Sequence, residues 1–259
     1  MNTLGRDTVK PDIQKRTDNK GILLEDLTWQ EAEKVLDENT IVVIPLGAQS
    51  KEHGPHLKLK NDFLLAEYYK NRILKETDVV VLPTVNYHYY PAFVEYPGSI
   101  TLGLETARDI IIDIVNSVAR FGVKKFYVLN TGVSTNKPLE LAKQELEKAG
   151  IIFFYTKLEE MSQEVKLQLQ EQEGGTHADE LETSAMLYIA SDTVDMSKAV
   201  KDYTPKSGLL TRDPNNPKGT YSPTGIWGNP TLASKSKGKL LVESFVKDLL
   251  EDIQSIRNI

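Results

Sequence analysis

The sequence predicts an α/β protein with three layers, in which helices cover both faces of a mainly parallel β-sheet. Two observations support this fold class. Short apolar runs typical of buried strands alternate with longer segments in which apolar residues recur at helical spacing, and such alternation builds a parallel sheet. A length of 259 residues with 40% hydrophobic content is also sufficient for one sizeable core.

Each predicted element follows from its own stretch of sequence. Four apolar runs are predicted strands, at 41–46 (IVVIPL), 79–83 (VVVLP), 125–130 (KFYVLN) and 151–155 (IIFFY). Helical spacing predicts five helices, at 64–76, 104–121, 138–149, 179–190 and 237–256. The second helix is expected to end at Gly122, because glycine accepts the left-handed backbone of a C-cap.

Two segments are predicted to lack regular structure. Residues 1–21 are rich in charge and have no periodicity, which indicates a polar N-terminal arm before a single domain over 22–259. Residues 202–223 contain four prolines among glycines and lysines, which predicts a long loop. Such a loop would cover an active site or reach a neighbouring subunit.

Composition excludes several classes of function. A net charge of −6 argues against nucleic acid as a default partner, and the absence of cysteine removes disulfides, thiolate metal ligands and cysteine nucleophiles. No apolar stretch approaches the length of a membrane span, and the N-terminus is polar rather than signal-like. We therefore expect a soluble, cytoplasmic protein without a membrane partner.

Residues 45–62, PLGAQSKEHGPHLKLKND, concentrate metal-binding side chains directly after the first long strand. They hold the carboxylates Glu52 and Asp62 together with His53 and His56, two of only four histidines in the chain. Imidazole nitrogens and carboxylate oxygens suit a divalent ion such as zinc or manganese. The Gly-Pro pair between the histidines indicates a turn, so the sequence predicts a metal-binding loop at the C-terminal edge of a strand.

A second motif, HADELETS at 177–184, lies at the start of a predicted helix. His177 is expected just before the helix and Glu182 in its early turns. An imidazole with a pKa of about 6.5 can accept a proton from an attacking water and return it to a leaving amine. Asp179 and Glu180 are interpreted as carboxylates that complement the helix N-terminus.

Candidate substrate-binding residues carry a weaker signal. His88 lies in an aromatic-rich segment and either lines a pocket or packs among tyrosines. Ser134 either contacts substrate or is an ordinary turn hydroxyl, and Trp227 is a pocket aromatic, a lid aromatic or a subunit-interface residue. The predicted substrate-binding set is His56, His88, Ser134 and Trp227.

These motifs resemble those of the creatininase (creatinine amidohydrolase) family. The resemblance covers nearly the whole chain. Pro45, Gly47, the HGPHL run at 53–57 and the Asn61-Asp62 pair resemble the family's strand-end motif. Its other parts are LLEDLTWQEAEK at 23–34, PTVNYHYYPAFVEYPGSITL at 83–102, HADELETS at 177–184 and GIWGNPTLASKSKGK at 225–239.

The chain departs from the family pattern at two ligand positions. Lys51 stands where the family has a ligand Glu, and Glu52 directly precedes the first His. After the third long strand the family carries Asn-Gly-His-x-x-Asn, whereas NTGVSTN at 130–136 contains neither His nor a carboxylate. We therefore predict one divalent ion per subunit, zinc or manganese with iron as a third candidate. The predicted ligands are Glu52, His53, Asp62 and Glu182.

The resemblance implies a metal-dependent hydrolase in which a metal-bound water cleaves a C–N bond of a small or cyclic amide. His177 would protonate the leaving group and Glu182 would orient the water or His177. The resemblance also implies a homo-oligomer, often a hexamer. Family members deformylate amines, cleave a short peptide or open cyclic ketones, so two alternatives stay open. One is a ring-opening hydrolase of a cyclic ketone such as an oxidised inositol, and the other is a non-catalytic small-molecule-binding protein.

Overall fold

The computed structural model describes residues 19–206 and 208–259. Its main sheet has five parallel strands in the order β1-β3-β2-β4-β5. They are β1 (Ile22–Leu23), β2 (Ile41–Leu46), β3 (Val80–Val81), β4 (Lys125–Asn130) and β5 (Ile152–Tyr155). All neighbours run parallel, so the carboxyl ends of the strands meet at one edge of the sheet. The mainly parallel sheet predicted from the sequence is present.

Seven α-helices occur in the described residues. They are α1 (Trp29–Val35), α2 (Asn61–Glu76), α3 (Leu104–Ala119), α4 (Asn136–Lys148), α5 (Gln163–Leu169), α6 (Glu180–Ile189) and α7 (Lys235–Arg257). All five predicted helices are present. The start of α2 at Asn61 rather than 64 matters for the site, because it places Asp62 in the first helical turn. Gly122 follows α3 with φ +98°, as expected for a left-handed residue beyond a helix end.

Both faces of the sheet are apolar, because alternate side chains of a strand point in opposite directions. On one face, Val43 and Tyr127 belong to a buried cluster with residues of α2 and α7. On the other face, Ile44 and Phe126 belong to a cluster with residues of α3 and α4. Helices therefore cover both faces, and the molecule has the three predicted layers.

The prediction of a loop without regular structure over 202–223 is wrong at two places. Strands β6 (Leu210–Thr211) and β7 (Thr220–Tyr221) pair in parallel as a small second sheet. Long-range contacts hold this segment: the Glu95 carboxylate accepts hydrogen bonds from Thr211 Oγ1 and Arg212 N. These contacts connect distant parts of the chain, and the local proline and glycine content does not reveal them.

Two predictions concern the chain as a whole, the polar N-terminal arm and the absence of a membrane span. Residues 1–18 of the predicted N-terminal arm lie outside the described residues, and Gly21 at its end donates a backbone hydrogen bond to Leu74 O. Within 19–206 and 208–259, no helix combines the length and the apolar character required to cross a bilayer.

Candidate active site

The two sequence motifs meet at the carboxyl edge of the sheet, where β2 and β4 end. Gly47 follows β2 and passes so close to α2 that a Cβ there would overlap the Asp62 carbonyl oxygen. Thr131 follows β4, and its Oγ1 donates to the carbonyl oxygens of Leu46 (3.0 Å) and Asp62 (2.9 Å). The ends of the two central strands thus fix the first turn of α2 and the position of Asp62.

His53 is the centre of this cluster and is 1% exposed. Its Nδ1 lies 2.9 Å from the Lys51 carbonyl oxygen, which can only accept, so Nδ1 carries a hydrogen. Its Nε2 lies 2.8 Å from Asp62 Oδ1 and 3.4 Å from Glu182 Oε1. Burial and the Lys51 charge lower the pKa of His53, but the two carboxylates outweigh them and raise it overall.

The donor set fits a divalent metal ion. Ligand atoms about 2.1 Å from a four-coordinate zinc ion lie about 3.4 Å apart. His53 Nε2 lies 3.4 Å from Glu182 Oε1, and it lies closer, at 2.8 Å, to Asp62 Oδ1. His53, His177 and Glu182 each offer a ligand atom within 4.8 Å of the others. With Nδ1–H committed to a backbone carbonyl, Nε2 faces two carboxylates and needs a proton or a cation there. A backbone acceptor for the second ring nitrogen is the usual support of a metal-binding histidine.

Glu182 is positioned by the start of α6. Asp179 is the N-cap residue, and its Oδ1 accepts from Glu182 N at 2.9 Å. The Glu182 carboxylate accepts from Ala178 N (2.7 Å) through Oε2 and from Asn61 Nδ2 (2.8 Å) through Oε1. Ala178 has φ +48°, a left-handed conformation that a non-glycine residue adopts at a cost, often at functional sites. This strained residue directs its N–H at the Glu182 carboxylate.

His177 lies opposite His53, with 5.0 Å between ring centroids, and Phe93 packs 4.4 Å from the His177 ring. Its Nε2 is 3.1 Å from Glu52 Oε2, and its Nδ1 is 4.0 Å from Glu182 Oε2. Reciprocal backbone hydrogen bonds join His177 to Trp227. The histidine is thus held by a carboxylate on one side and faces the metal-binding cluster on the other.

Glu52, predicted as a metal ligand, is placed against His177 rather than beside His53. One carboxylate oxygen contacts His177 Nε2, and the other accepts a hydrogen bond from Gly54 N. Gly225 packs on this carboxylate with φ +82° and leaves no room for a Cβ. In this geometry Glu52 orients His177 and does not belong to the donor set around His53.

Two of the predicted substrate-binding residues, His56 and Trp227, make structural contacts next to the cluster. His56 is 1% exposed, and its Nε2 lies 2.8 Å from Thr183 Oγ1 beneath the start of α6. Burial lowers the pKa of His56 to about 4. Trp227 is bound to His177 through its backbone, and its Nε1–H donates to Thr204 O at 3.0 Å. Neither contact excludes substrate, but each gives the side chain a structural role.

Ser134 and His88 are placed differently from one another. Ser134 is half-buried in the turn between β4 and α4, at the edge of the sheet where the cluster lies. His88 is fully buried, and its Nε2 lies 3.0 Å from Ala107 O in α3. The structure therefore packs His88 against α3 and does not bring it to the cluster, and its predicted role in substrate binding stays a prediction.

The buried His88 predicts a pH-dependent stability. Burial lowers its pKa to about 4, so the unfolded chain, with a His pKa of about 6.5, binds the proton more tightly. Stability from this group is complete above about pH 6.5 and falls as pH is lowered toward 4, by about 3 kcal/mol. Urea unfolding at pH 7 and pH 4.5 should show a smaller acid loss in His88→Gln than in the wild type. An equal loss in both proteins would contradict this assignment.

Sequence reasoning missed three residues of this site. Lys51 was treated as a lost ligand, yet its Nζ lies 2.6 Å from Asp62 Oδ2. Asn61 donates to Glu182, and Thr131 holds the Asp62 backbone. Asn61 precedes a predicted ligand and Thr131 directly follows a predicted strand, which are the two signals available in the sequence.

A parallel α/β sheet that gathers imidazoles and carboxylates at its carboxyl edge defines the class of protein, a metal-dependent hydrolase. The sequence model of the family described as creatinine amidohydrolase matches residues 25–253. The chain belongs to this creatininase family, whose members are metal-dependent amidohydrolases. The family, the fold class and the hydrolase class predicted from the sequence are confirmed.

Two relatives illustrate the range of the family. The chain is 27% identical to creatinine amidohydrolase of Pseudomonas putida, over 91% of this chain and 97% of that protein. It is 23% identical to the mycofactocin precursor peptide peptidase of Mycolicibacterium smegmatis, over 83% of this chain and 84% of that protein. One relative is thus named for a cyclic small molecule and the other for a peptide.

Solved creatininase structures share the fold. One crystal structure superposes with a TM-score of 0.75 at 25% identity, covering 90% of this chain and 96% of that chain. A glutamate-to-glutamine creatininase variant of the Zn-Zn type superposes with a TM-score of 0.74 at 25% identity, covering 90% of this chain and 97% of that chain. The Mn form of creatininase superposes with a TM-score of 0.73 at 24% identity, covering 91% of this chain and 98% of that chain. At this identity the superposition is evidence for a shared fold alone.

Proposed function

We propose that this protein is a hydrolase that uses one divalent ion, zinc or manganese with iron as a third candidate, to cleave the C–N bond of a small or cyclic amide. The observation that carries the proposal is the environment of His53. Its Nδ1–H is taken by the Lys51 carbonyl, and its Nε2 faces Asp62 and Glu182. His53, Asp62 and Glu182 would hold the ion, and His177, whose nitrogen also lies within reach of this group, is left for proton transfer. Three ligands with an open position are the usual arrangement of a catalytic zinc site. A structural neighbour of the Zn-Zn type supports metal binding by a protein of this fold.

His177 is the proposed proton carrier. Glu52 accepts the hydrogen of Nε2, which leaves the Nδ1 lone pair directed toward the metal-binding cluster. A bound divalent ion would polarise a substrate carbonyl and lower the pKa of water to about 7. His177 Nδ1 then accepts a proton from the attacking water and returns it to the leaving nitrogen. Glu52 holds the tautomer and orientation of the ring, as an acidic partner does in other carboxylate–histidine pairs.

The closed geometry of the site supports a small substrate. Glu52, His53, Asp62 and His177 are between 1% and 8% exposed. Phe93 contacts the His177 ring and provides an apolar wall next to the proton carrier. A cyclic amide and a cyclic ketone both present a carbonyl on a compact ring, so opening of a cyclic ketone remains the alternative reaction. Binding without catalysis is the second alternative.

The test is elemental analysis of chelator-free protein, combined with a substrate panel of creatinine, other cyclic amides, short linear amides, formylated amines and cyclic ketones. We expect close to one equivalent of metal and hydrolysis of at least one amide. Glu182→Gln should remove the activity, and the exposed Glu25→Gln should keep it as the matched control. Turnover of cyclic ketones alone would select the alternative reaction. Absence of metal after reconstitution would overturn the proposal and leave the binding protein.

Four further expectations from the sequence and from the family resemblance belong to the same proposal. The chain would act as a single domain over 22–259, with a small-molecule substrate as its partner. It would assemble as a homo-oligomer, with a hexamer as the reference state. It would work in the cytoplasm.

A further inference from the structure

Lys51 places a buried positive charge inside the metal-binding cluster. Its side chain leaves the loop after β2, is 6% exposed and ends with Nζ 2.6 Å from Asp62 Oδ2. Across the described part of the chain, Asp62 is the one carboxylate in contact with this ammonium. Lysine is rarely buried, because removing its charge from water is costly unless a partner compensates.

Aromatic rings complete the surroundings of the ammonium. Nζ lies 4.8 Å from the Phe93 ring centroid and 5.8 Å from that of Tyr90, within the range of cation–π attraction. Water is largely excluded here, so the ammonium is confined between two rings and one carboxylate. The position of the charge is therefore fixed by packing, as the position of a bound ion would be.

Asp62 divides its two oxygens between two cationic neighbours. Oδ1 faces His53 Nε2, where the proposed ion would bind, and Oδ2 faces Lys51 Nζ. A carboxylate that bridges two metal ions uses its oxygens in the same way. The charges also balance: Glu52, Asp62 and Glu182 are three carboxylates, and Lys51 with one divalent ion neutralises them, whereas two divalent ions beside Lys51 would leave an excess of positive charge.

We propose that the Lys51 ammonium occupies the position of a second cation in this site, so that Asp62 links one divalent ion to one side-chain ammonium. This inference rests on the proposed metal-dependent function and extends it by explaining how one ion is sufficient. Lys51 is a positioning residue: it holds Asp62 and occupies the space and charge of another ion. The creatininase variant of the Zn-Zn type shows that the fold also accommodates a two-ion arrangement.

The experiment titrates metal-depleted full-length protein with Mn²⁺ and follows stoichiometry by calorimetry and spin coupling by electron paramagnetic resonance. The wild type should bind one equivalent with the spectrum of an isolated ion. Lys51→Met should bind its first ion at least about tenfold more tightly, because a repelling charge a few ångströms away has been removed. Lys51→Glu should bind a second equivalent with a spin-coupled spectrum. Lys51→Arg should keep the wild-type stoichiometry.

Lys58→Met is the matched control, because Lys58 is an exposed lysine of the same loop, and it should bind like the wild type. A purely structural ion pair predicts the opposite result, with weaker binding after Lys51→Met because Asp62 loses its support. That result, or two equivalents in the wild type, would overturn the inference and leave the proposed hydrolase intact. Absence of binding in every protein would overturn both. If Lys51→Glu does not fold, Lys51→Met and Lys51→Arg still separate the two outcomes.

Discussion

His53→Ala should bind less than a tenth of the metal that the wild type binds, and should lose hydrolytic activity by at least about 10³-fold, because the ion supplies several kcal/mol of transition-state stabilisation. His53 is the residue on which the donor set converges, since its Nε2 contacts both Asp62 and Glu182. Its removal leaves two carboxylates without the nitrogen ligand between them. Elemental analysis and steady-state kinetics of the purified variant would measure both effects.

The matched control for this variant is His88→Gln, which also removes a fully buried imidazole. It should keep both metal and activity, since His88 contacts the Ala107 carbonyl and not the cluster. The contrast separates loss of a ligand from general destabilisation. Full metal content in His53→Ala would contradict the assignment of the site, and loss of metal in both variants would indicate that folding alone controls metal binding.

The sequence was sufficient for the layered fold because its signals are local. The run of β2 is apolar throughout and that of β4 is polar only at its ends, Lys125 and Asn130, which is the pattern of strands covered on both faces. A signal for α1 was also present and unused: Thr28 and Glu31 form a capping box at its start. The short helix α5 has no buried residue, and its seven residues are too few to establish helical spacing from the sequence.

The site was only partly predictable, because its contacts join distant positions. His53 and Asp62 could be paired from one motif, but the contact of Glu52 with His177 spans 125 residues. The same limit applies to His88, because its contact with Ala107 in α3 joins two separate segments of the chain. Lys51 was misjudged for another reason, since a lysine is normally exposed and its burial depends on the rings of Tyr90 and Phe93.

Gly238→Ala should destabilise the protein by about 3 kcal/mol, the upper range for overpacking a tight contact. Gly238 lies in α7 where the helix crosses α6, and a Cβ there would overlap the Ser184 carbonyl. In an open helix the same substitution would stabilise by about 1 kcal/mol. Here the steric overlap outweighs the gain in helix propensity, because the Ser184 carbonyl is a backbone group and cannot rotate away as a side chain could. Urea denaturation would measure the difference, with the exposed Lys239→Ala as the control on the same helix.

The same substitution should also weaken metal binding, because α6 carries Glu182. Ser184 Oγ accepts a hydrogen bond from Ser234 N, so the crossing of α6 and α7 is fixed by a polar contact as well as by close packing. Moving α6 away from α7 would displace the Glu182 carboxylate relative to His53, and misplacement by about 1 Å is enough to impair a catalytic arrangement. We expect loss of stability and loss of metal affinity together. If the Gly238→Ala protein is as stable as Lys239→Ala, then α6 and α7 separate at no cost and their crossing does not position the site.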